Sequence, residues 1–533
     1  MGSPTSNPNT NIQLLPAAVV DAYADRRDVI FGQVPSTAGG ASSGGMLTTD
    51  VHLLTTAEIK TLCGATSYLT NCILDWKSTN EGYSPLDVVS ITEVTNANAA
   101  GIMAVTGTAS ADGTLYISVV DEEKYEVAVS VSDLDTHTAV ATAIHTALDA
   151  LTDTVFVSTN SPAGSCTVTA TDEGTIGDTY GIKIRGTVPG ISIAITAFTG
   201  GGTDPTLTGI LDLIAGIRYT GIIWPEAWRA DTTAQAALKT EMETRFNASN
   251  TIMDGTVFQG FSSKTFLNVI VTLLSENSQT FVNIFNPVLA LADHKGPAVI
   301  RPADWIASEF LGIRSRRLTT GAPIADDIIS TSGGLDAFGG PSLASLPYFN
   351  TPLRLTPVTP ATNLLTGEEQ SGLEIAGGTG FGVNSAKNMM LMGPVVTNWT
   401  TDAGENENVS FHYLNYVDTG SVCREMFHSV LKSTYAQSRL TEGELIPGRS
   451  IANAESIKAT LMKIYKILSD LALTQAGSEA QQYFSDNTTV TVSLATRTVT
   501  ISGPLPIVTQ MGTINYSLQL AFTVGSTGTQ ITV

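Results

Sequence analysis

Toward the end of the chain, Ile514, Tyr516, Leu518, Leu520, Phe522 and Val524 alternate with smaller or polar residues. Period two over this length predicts a strand with six apolar side chains on one face. Burying them barely offsets the entropy of ordering a dozen residues, so the strand must complete a sheet. Lying close to a chain end, it is free to complete a neighbour's sheet instead of its own. A second pattern has the helical period. Ile457, Leu461, Ile464, Leu468 and Leu471 share one face of a helix expected over residues 453–473, and Lys458, Lys463 and Lys466 lie away from the centre of that face.

Elsewhere the patterning divides the chain into stretches. Residues 1–27 are polar and weakly patterned, which predicts an extended N-terminal arm. Residues 28–92 hold the first part of a core, with a strand at 28–32, a flexible glycine-rich link at 37–45 and a helix or two over 56–69. Residues 93–203, rich in Thr, Ser and Gly, predict an inserted β-rich outer domain of β-β-α-β-β type. Its hairpin spans 114–120 and 125–131, its helix 138–151, and its later strands 155–158, 166–170 and 180–185. Residues 204–311 alternate helices (207–217, 233–246, 265–274 and one opening at 301) with strands (219–224, 255–261, 280–286), as an α/β core does. The Gly/Pro-rich stretch 312–385 predicts an excursion over the surface. Residues 386–512 predict a C-terminal core domain with strands at 389–396 and 405–414, a helix at 422–431, the helix 453–473 and a hairpin of 489–493 and 497–502. Residues 513–533 carry the C-terminal arm strand. The fold class is mixed α+β and α/β in several domains: a mixed-sheet core, an inserted β-rich domain and extended N- and C-terminal arms.

Charge narrows the function. Lys and Arg number 27 against 49 Asp and Glu, a net charge of −22 over 533 residues. General nucleic-acid binding needs a basic footprint and is disfavoured. The longest apolar run, near residues 266–274, is too short to cross a membrane. The N-terminus has neither the basic nor the apolar segment of a signal peptide. Cys63, Cys72, Cys166 and Cys423 are too scattered for a disulfide framework or a zinc site, and Cys423, beside Arg424, reads as a buried structural thiol.

Catalytic patterns are missing. His52, His137, His145, His294, His412 and His428 form no zinc-hydrolase spacing and read as surface residues. Residues 377–382, Gly-Gly-Thr-Gly-Phe-Gly, have glycines but no Lys-Ser/Thr end, so a flexible surface loop is expected instead of a phosphate cradle. The acidic clusters lack calcium-loop spacing. No enzyme activity, cofactor or metal is expected.

Several segments resemble the tail sheath proteins of contractile bacteriophages, most closely the Mu-like type. Residues 393–401 (GPVVTNWTT) are similar to that family's strand leading into a turn, and 411–417 (FHYLNYV) to the strand that follows. Residues 431–435 and 439–441 resemble the segment after its next helix, 457–473 its late helix, and 506–522 its C-terminal arm. The stretch 93–203 resembles its inserted β-rich domain. The resemblance implies a non-enzymatic subunit stacked as six-membered rings around a tail tube. Its N-terminal arm and C-terminal strand would enter neighbours' sheets, and Lys458, Lys463 and Lys466 would face the tube. Implied partners are other sheath subunits, the tube protein, and baseplate and tail terminator proteins, without nucleic acid or membrane insertion. The implied location is the virion tail, assembled in a host bacterial cytoplasm. Alternatives are the sheath of a phage-like bacteriocin or injection machine, or an enzyme with a β-rich binding module.

Overall fold

β1 (Asp28–Val34) is buried along its whole length and lies inside a seven-stranded sheet. Its side chains serve two cores. Ile30 and Val34 pack into one and Val29 and Phe31 into the other, which is why the strand reads as a continuous apolar run. The computed structural model describes residues 26–246, 255–261, 273, 281–285, 300–319, 340–346, 348, 351, 353–354, 365–383, 389–391, 394–401, 409–446, 449–508, 521–522 and 529–530. Over these it is a multidomain α+β fold.

On one side β1 pairs in parallel with β3 (Leu86–Thr92), and β2 (Met46–Thr48) closes that edge antiparallel. On the other side the parallel ladder continues through β11 (Gly221–Ile223), β12 (Thr256–Phe261), β13 (Phe281–Phe285) and β14 (Gly378–Thr379). The sheet is therefore mixed, as expected. Helices α1 (Thr56–Cys63) and α2 (Tyr68–Asn80) follow β2, and α2 packs on one face of the sheet beside α5 (Ala303–Leu318). A Cβ at Gly312 of α5 would sit 2.6 Å from the Trp76 carbonyl oxygen, so glycine lets these two helices touch. The opposite face is covered by α4 (Thr232–Phe246), through Leu238 and Met242, and by the 3-10 turn Ile210–Ile214.

The inserted module spans β4 (Asn98–Gly107), β5 (Gly113–Val119), β6 (Glu126–Val131), α3 (His137–Asp149), β7 (Phe156–Ser161), β8 (Ser165–Glu173), β9 (Ile182–Arg185) and β10 (Ile191–Thr199). It forms an antiparallel sheet in the order β10-β4-β8-β7 and a second one in the order β6-β5-β9. The expected hairpin, helix and later strands are present. β4 and β10 lie outside the expected strands: the Gly and Ala content of β4 masks its inside–outside alternation, and β10 is exposed over Ala194–Ala197 and has no regular buried face.

The C-terminal part contains α6 (Gly367–Ile375), the pair β15 (Phe381–Val383) and β16 (Met389–Leu391), α7 (Val409–His412), α8 (Leu414–Tyr435), and the pair β17 (Arg439–Leu440) and β18 (Ile451–Ala452). Then come α9 (Ala454–Asp470), α10 (Ser478–Asn487) and the hairpin of β19 (Thr489–Ser493) and β20 (Thr498–Ser502). Ile457, Leu461, Ile464 and Leu468 of α9 meet Met426 of α8, Phe484 of α10 and Val499 of β20 in a separate core. Asn453 caps α9 by accepting from the Ser456 N–H, and Ser456 answers through its hydroxyl.

Several expectations are corrected. Residues 409–414, within the expected strand 405–414, are α7 and the start of α8, with only an isolated bridge from Tyr413 to Val396. The alternation around Phe411 and Tyr413 imitated a strand, while Leu414, Tyr416 and Val417 are all buried, as on a helix covered from several sides. The helix opening at 301 continues to Leu318, and the helix expected over 207–217 is only a short 3-10 turn. The stretch 312–385 is not confined to the surface: Leu343, Ala344, Tyr348 and Leu373 are buried. Residues 377–382, expected as a surface loop, include β14 of the main sheet. The link at 37–45 is tied down where Gly39 and Gly40 donate to the Thr61 and Leu62 carbonyls. Among the described histidines, His412 is buried and His52, His137, His145 and His428 are half-buried.

Candidate functional site

Two centres of buried charge are built on α5. In the first, Arg301, just before that helix, donates to Asp75 of α2 at 2.7 Å and to Glu309 at 2.5 Å, and lies 3.4 Å from Asp121 of the inserted module. Lys124 and Arg354 also reach Asp75, at 3.0 and 3.1 Å. Three cations thus meet three carboxylates. Burial alone would push Asp75 up, but Arg301, Lys124 and Arg354 outweigh it and hold the carboxyl below its ordinary value. In the second centre, Arg314 grips Asp418 of α8 through two nitrogens, and Tyr348 donates its hydroxyl to the same carboxylate at 2.5 Å. Nearby, Asp28 at the start of β1 accepts from Trp76 at 2.9 Å and from Ser315 at 2.5 Å. These centres fasten the inserted module and α8 to the sheet domain.

Their chemistry is structural. The central acids are bound by cations or hydroxyls, and burial pushes the thiols of Cys63 and Cys423 up to about 12 and that of Cys166 to about 11, so they stay protonated. Burial beside Lys432, Arg218 and Arg424 lowers His428 to about 4. His145 contacts the Ser158 hydroxyl at 2.7 Å, which ties α3 to β7. Among the described residues no carboxylate orients that imidazole, and no group of His, Cys, Asp or Glu could hold a metal ion. The order of strands reverses at β1 and β11, where open α/β sheets bind ligands beyond the strands' carboxyl ends. Here Gln33 donates to the Glu173 carbonyl, and Trp224 packs between Phe31 and Trp228 with ring centres 5.2 Å away on either side. The chain's own side chains fill that crevice. No helix among the described residues is long and apolar enough to cross a membrane.

The candidate surfaces lie in the C-terminal part. Lys463 and Lys466 of α9 are exposed and Lys458 half-exposed, and none forms an ion pair among the described residues. Ile467, 44% exposed, lies among them. Ile514, Tyr516, Leu518, Leu520 and Val524 lie outside the described residues. Phe522 falls in β21 (Ala521–Phe522), which pairs antiparallel with β22 (Thr529–Gln530). The chain end therefore folds back on itself at that point, a feature the strand pattern did not reveal. β19 and β20 pair only with each other among the described residues. Their Val499 is buried and Val490, Val492 and Ile501 are half-buried against α9 and α10. Two grooves flank the hairpin. One of 610 Å³ is rimmed by Glu442, Glu444 and Glu455, and one of 510 Å³ by Tyr483, Leu505 and Pro506.

No protein-family model matches this chain, and no curated protein matches it. Solved structures similar to it include the sheath tail protein Lin1278 from Listeria innocua, at 11% identity and TM-score 0.43, over 91% of this chain and 92% of that one. A chain of the anti-feeding prophage baseplate aligns at 9% identity and TM-score 0.35, over 61% of this chain and 76% of that one. The flagellar cap protein FliD of Escherichia coli aligns at 15% identity and TM-score 0.14, over 22% of this chain and 40% of that one. At these TM-scores none of the three bears on function.

Proposed function

We propose that this chain is a structural subunit of a contractile tail sheath, which polymerises as stacked six-membered rings around a tail tube and shortens to drive the tube through a host envelope. The observation that carries the proposal is the hairpin β19–β20. A two-stranded sheet is marginal alone, and among the described residues this one has open edges, while the pattern of residues 514–524 demands a sheet. Donation of residues 514–524 to a neighbour's hairpin satisfies both. Because β21 pairs with β22, the donated element would be a strand with its own short return. The resemblance of residues 457–473 and 506–522 to sheath segments supports the same reading, whereas residues 393–401 and 411–417, likened to sheath strands, contribute among the described residues only the isolated bridge of Val396 with Tyr413. Contraction would repack rigid subunits held together by these tethers, using interface energy and no nucleotide. The tube, baseplate and terminator would be the further partners, and the virion tail the location. The sheath of a phage-like injection machine would use the same subunit chemistry.

The test removes the residues after Gly512. The expected product is folded by circular dichroism, soluble, and unable to form tubes or stacked rings in negative stain. Long sheaths from the shortened chain would exclude strand donation at this end. Outright unfolding would assign the strand to its own core.

A further inference from the structure

The sheet β10-β4-β8-β7 of the inserted module ends in two unguarded edges. Sheet edges are normally blunted by charged residues, proline or a covering element, because their free N–H and C=O groups template pairing with another chain. β10 reads Ile-Ser-Ile-Ala-Ile-Thr-Ala-Phe-Thr over nine residues, and β7 reads Phe-Val-Ser-Thr-Asn-Ser over six. Neither contains proline or an ionisable side chain, and no Lys, Arg, Asp or Glu occurs anywhere in residues 186–203 or 154–171. Both edges are open among the described residues, and β10 pairs regularly with β4 from Ile191 to Thr196 before a bulge between Thr196 and Thr199. Residues Ala194, Ile195, Thr196 and Ala197 are exposed in succession, so that end of β10 is uncovered on both faces. Val157 of β7 is 54% exposed.

The sheet's outward face is nearly as neutral. β4 and β8 alternate, and their outward positions are Asn98, Ala100, Ile102, Ala104 and Thr106, then Ser165, Thr167, Thr169, Thr171 and Glu173, so charge enters this face only at the end where Asn98 faces Glu173. In a chain of net charge −22, copies repel wherever their acidic surfaces meet. Two edge strands without charge, on a sheet whose acids are confined to the end of β8, are where they can approach with least of that cost.

We infer that the β10 edge of one copy pairs with the β7 edge of a second copy, joining the inserted modules side by side. The direction follows from the topology. β10 is antiparallel to β4, β4 to β8 and β8 to β7, so β7 runs opposite to β10. A second copy set beside the first by translation brings its β7 antiparallel to β10 and continues the alternation without a break. Such a contact is heterologous, uses a different surface on each copy, and closes into a ring or runs on as a filament. It involves none of residues 514–524 and holds whether or not the terminal strand is donated.

Single-cysteine variants of the full chain read this contact directly, because the four native cysteines are buried. Ala194→Cys is mixed in turn with Val157→Cys, Thr159→Cys and Ser161→Cys at rising concentration under mild oxidation. At least one mixed pair should form a crosslinked dimer in at least fivefold higher yield than either variant alone, since facing Cβ atoms in adjacent strands can meet disulfide geometry. Adding Thr196→Lys to the Ala194→Cys chain should abolish the yield while circular dichroism stays unchanged. Self-crosslinking of the Ala194→Cys chain above the mixed yields would mean that β10 pairs with its own copy and would overturn the proposal. The absence of any mixed crosslink at every concentration would also overturn it.

Discussion

On α5, Glu309 and Arg314 are buried and ion-paired, whereas on α9 Lys463 and Lys466 stand in solvent with no ion pair among the described residues. The two helices have similar lengths and opposite surroundings. α5 is held among the sheet, α2 and α8, so nearly every position from Ala303 to Leu318 is covered. Its buried charges are met by side chains such as Asp418 and Arg301 or by backbone carbonyls such as those of Leu343 and Leu346. α9 buries one face and leaves the other in solvent. Charge on α5 therefore reports how the chain holds itself together, and charge on α9 reports what the chain could hold.

The sharpest way to break this contrast is Arg314→Ala. It leaves the buried Asp418 carboxylate with the Tyr348 hydroxyl but without the Arg314 cation, and leaves the Thr220 carbonyl without the donor it now meets at 2.9 Å. A loss of about 3–5 kcal/mol in equilibrium denaturation is expected. The double change Arg314→Met with Asp418→Leu should cost clearly less, because no charge is then left unpaired. Equal losses would show that packing, and not charge pairing, makes α5 sensitive.

The same contrast explains which elements could be read from sequence. α9 was legible because one apolar face and one polar face give an unmistakable period, and its cap at Asn453 is local. β1 was legible as an apolar run between polar neighbours, and the β19–β20 hairpin by its alternation. α5 was cut short at 311 because Arg314, Arg316 and Arg317 look like a solvent boundary. They are partnered by Asp418 and Glu81, and by the Leu343 and Leu346 carbonyls, all remote in sequence. No local pattern encodes those partners. α8 was missed at its start for a related reason: with Leu414, Tyr416 and Val417 all buried, no period survives. The glycines at 377–382 looked like a loop because glycine carries no pattern at all. Of the surfaces proposed for assembly, the lysine face and the hairpin were visible in the sequence. The unguarded edge of β10 was not, since its Ile, Ala and Thr residues read as part of a Thr/Ser/Gly-rich stretch.

Gly378→Ala tests, at intermediate cost, whether residues 377–382 are packed into the main sheet. A Cβ at this position would lie 2.4 Å from Leu373 Cδ1 and 2.8 Å from Leu273 Cδ1. Overpacking there should destabilise by about 1–3 kcal/mol in thermal or chemical denaturation. A neutral outcome would return residues 377–382 to the status of a tolerant loop.

A buried acid without a cation sharpens the comparison through pH. Asp172 of β8 accepts from the Tyr68 N–H at 3.0 Å and the Tyr180 hydroxyl at 3.3 Å, joining the module to the start of α2. Burial, helped by the charge of Glu93, pushes its carboxyl up to about 8. The folded state then binds this proton more tightly than the unfolded chain, whose carboxyl titrates near the ordinary value of about 4. The resulting stability is full below pH ~4, falls as pH rises, and is gone above pH ~8. Asp172→Asn removes this dependence. Its stability relative to the parent chain should rise steadily from pH 4 to 8 and stay level above, whatever the constant offset. A flat difference across that range would mean that Asp172 is charged throughout in the folded state.

Lys463→Glu combined with Lys466→Glu should have the smallest effect on the fold. Both side chains are exposed and neither forms an ion pair among the described residues, so stability should stay within about 0.5 kcal/mol of the parent. The change shows instead in association. If the open face of α9 meets an acidic tube, two reversed charges turn attraction into repulsion over a surface that also carries Lys458. Assembly on tubes should weaken most at low salt, with the difference from the parent narrowing as salt rises and the Debye length shrinks. Full assembly at every salt concentration would make these lysines an ordinary solvated face. A drop in thermal stability instead would place them in the internal network and erase the distinction between α9 and α5.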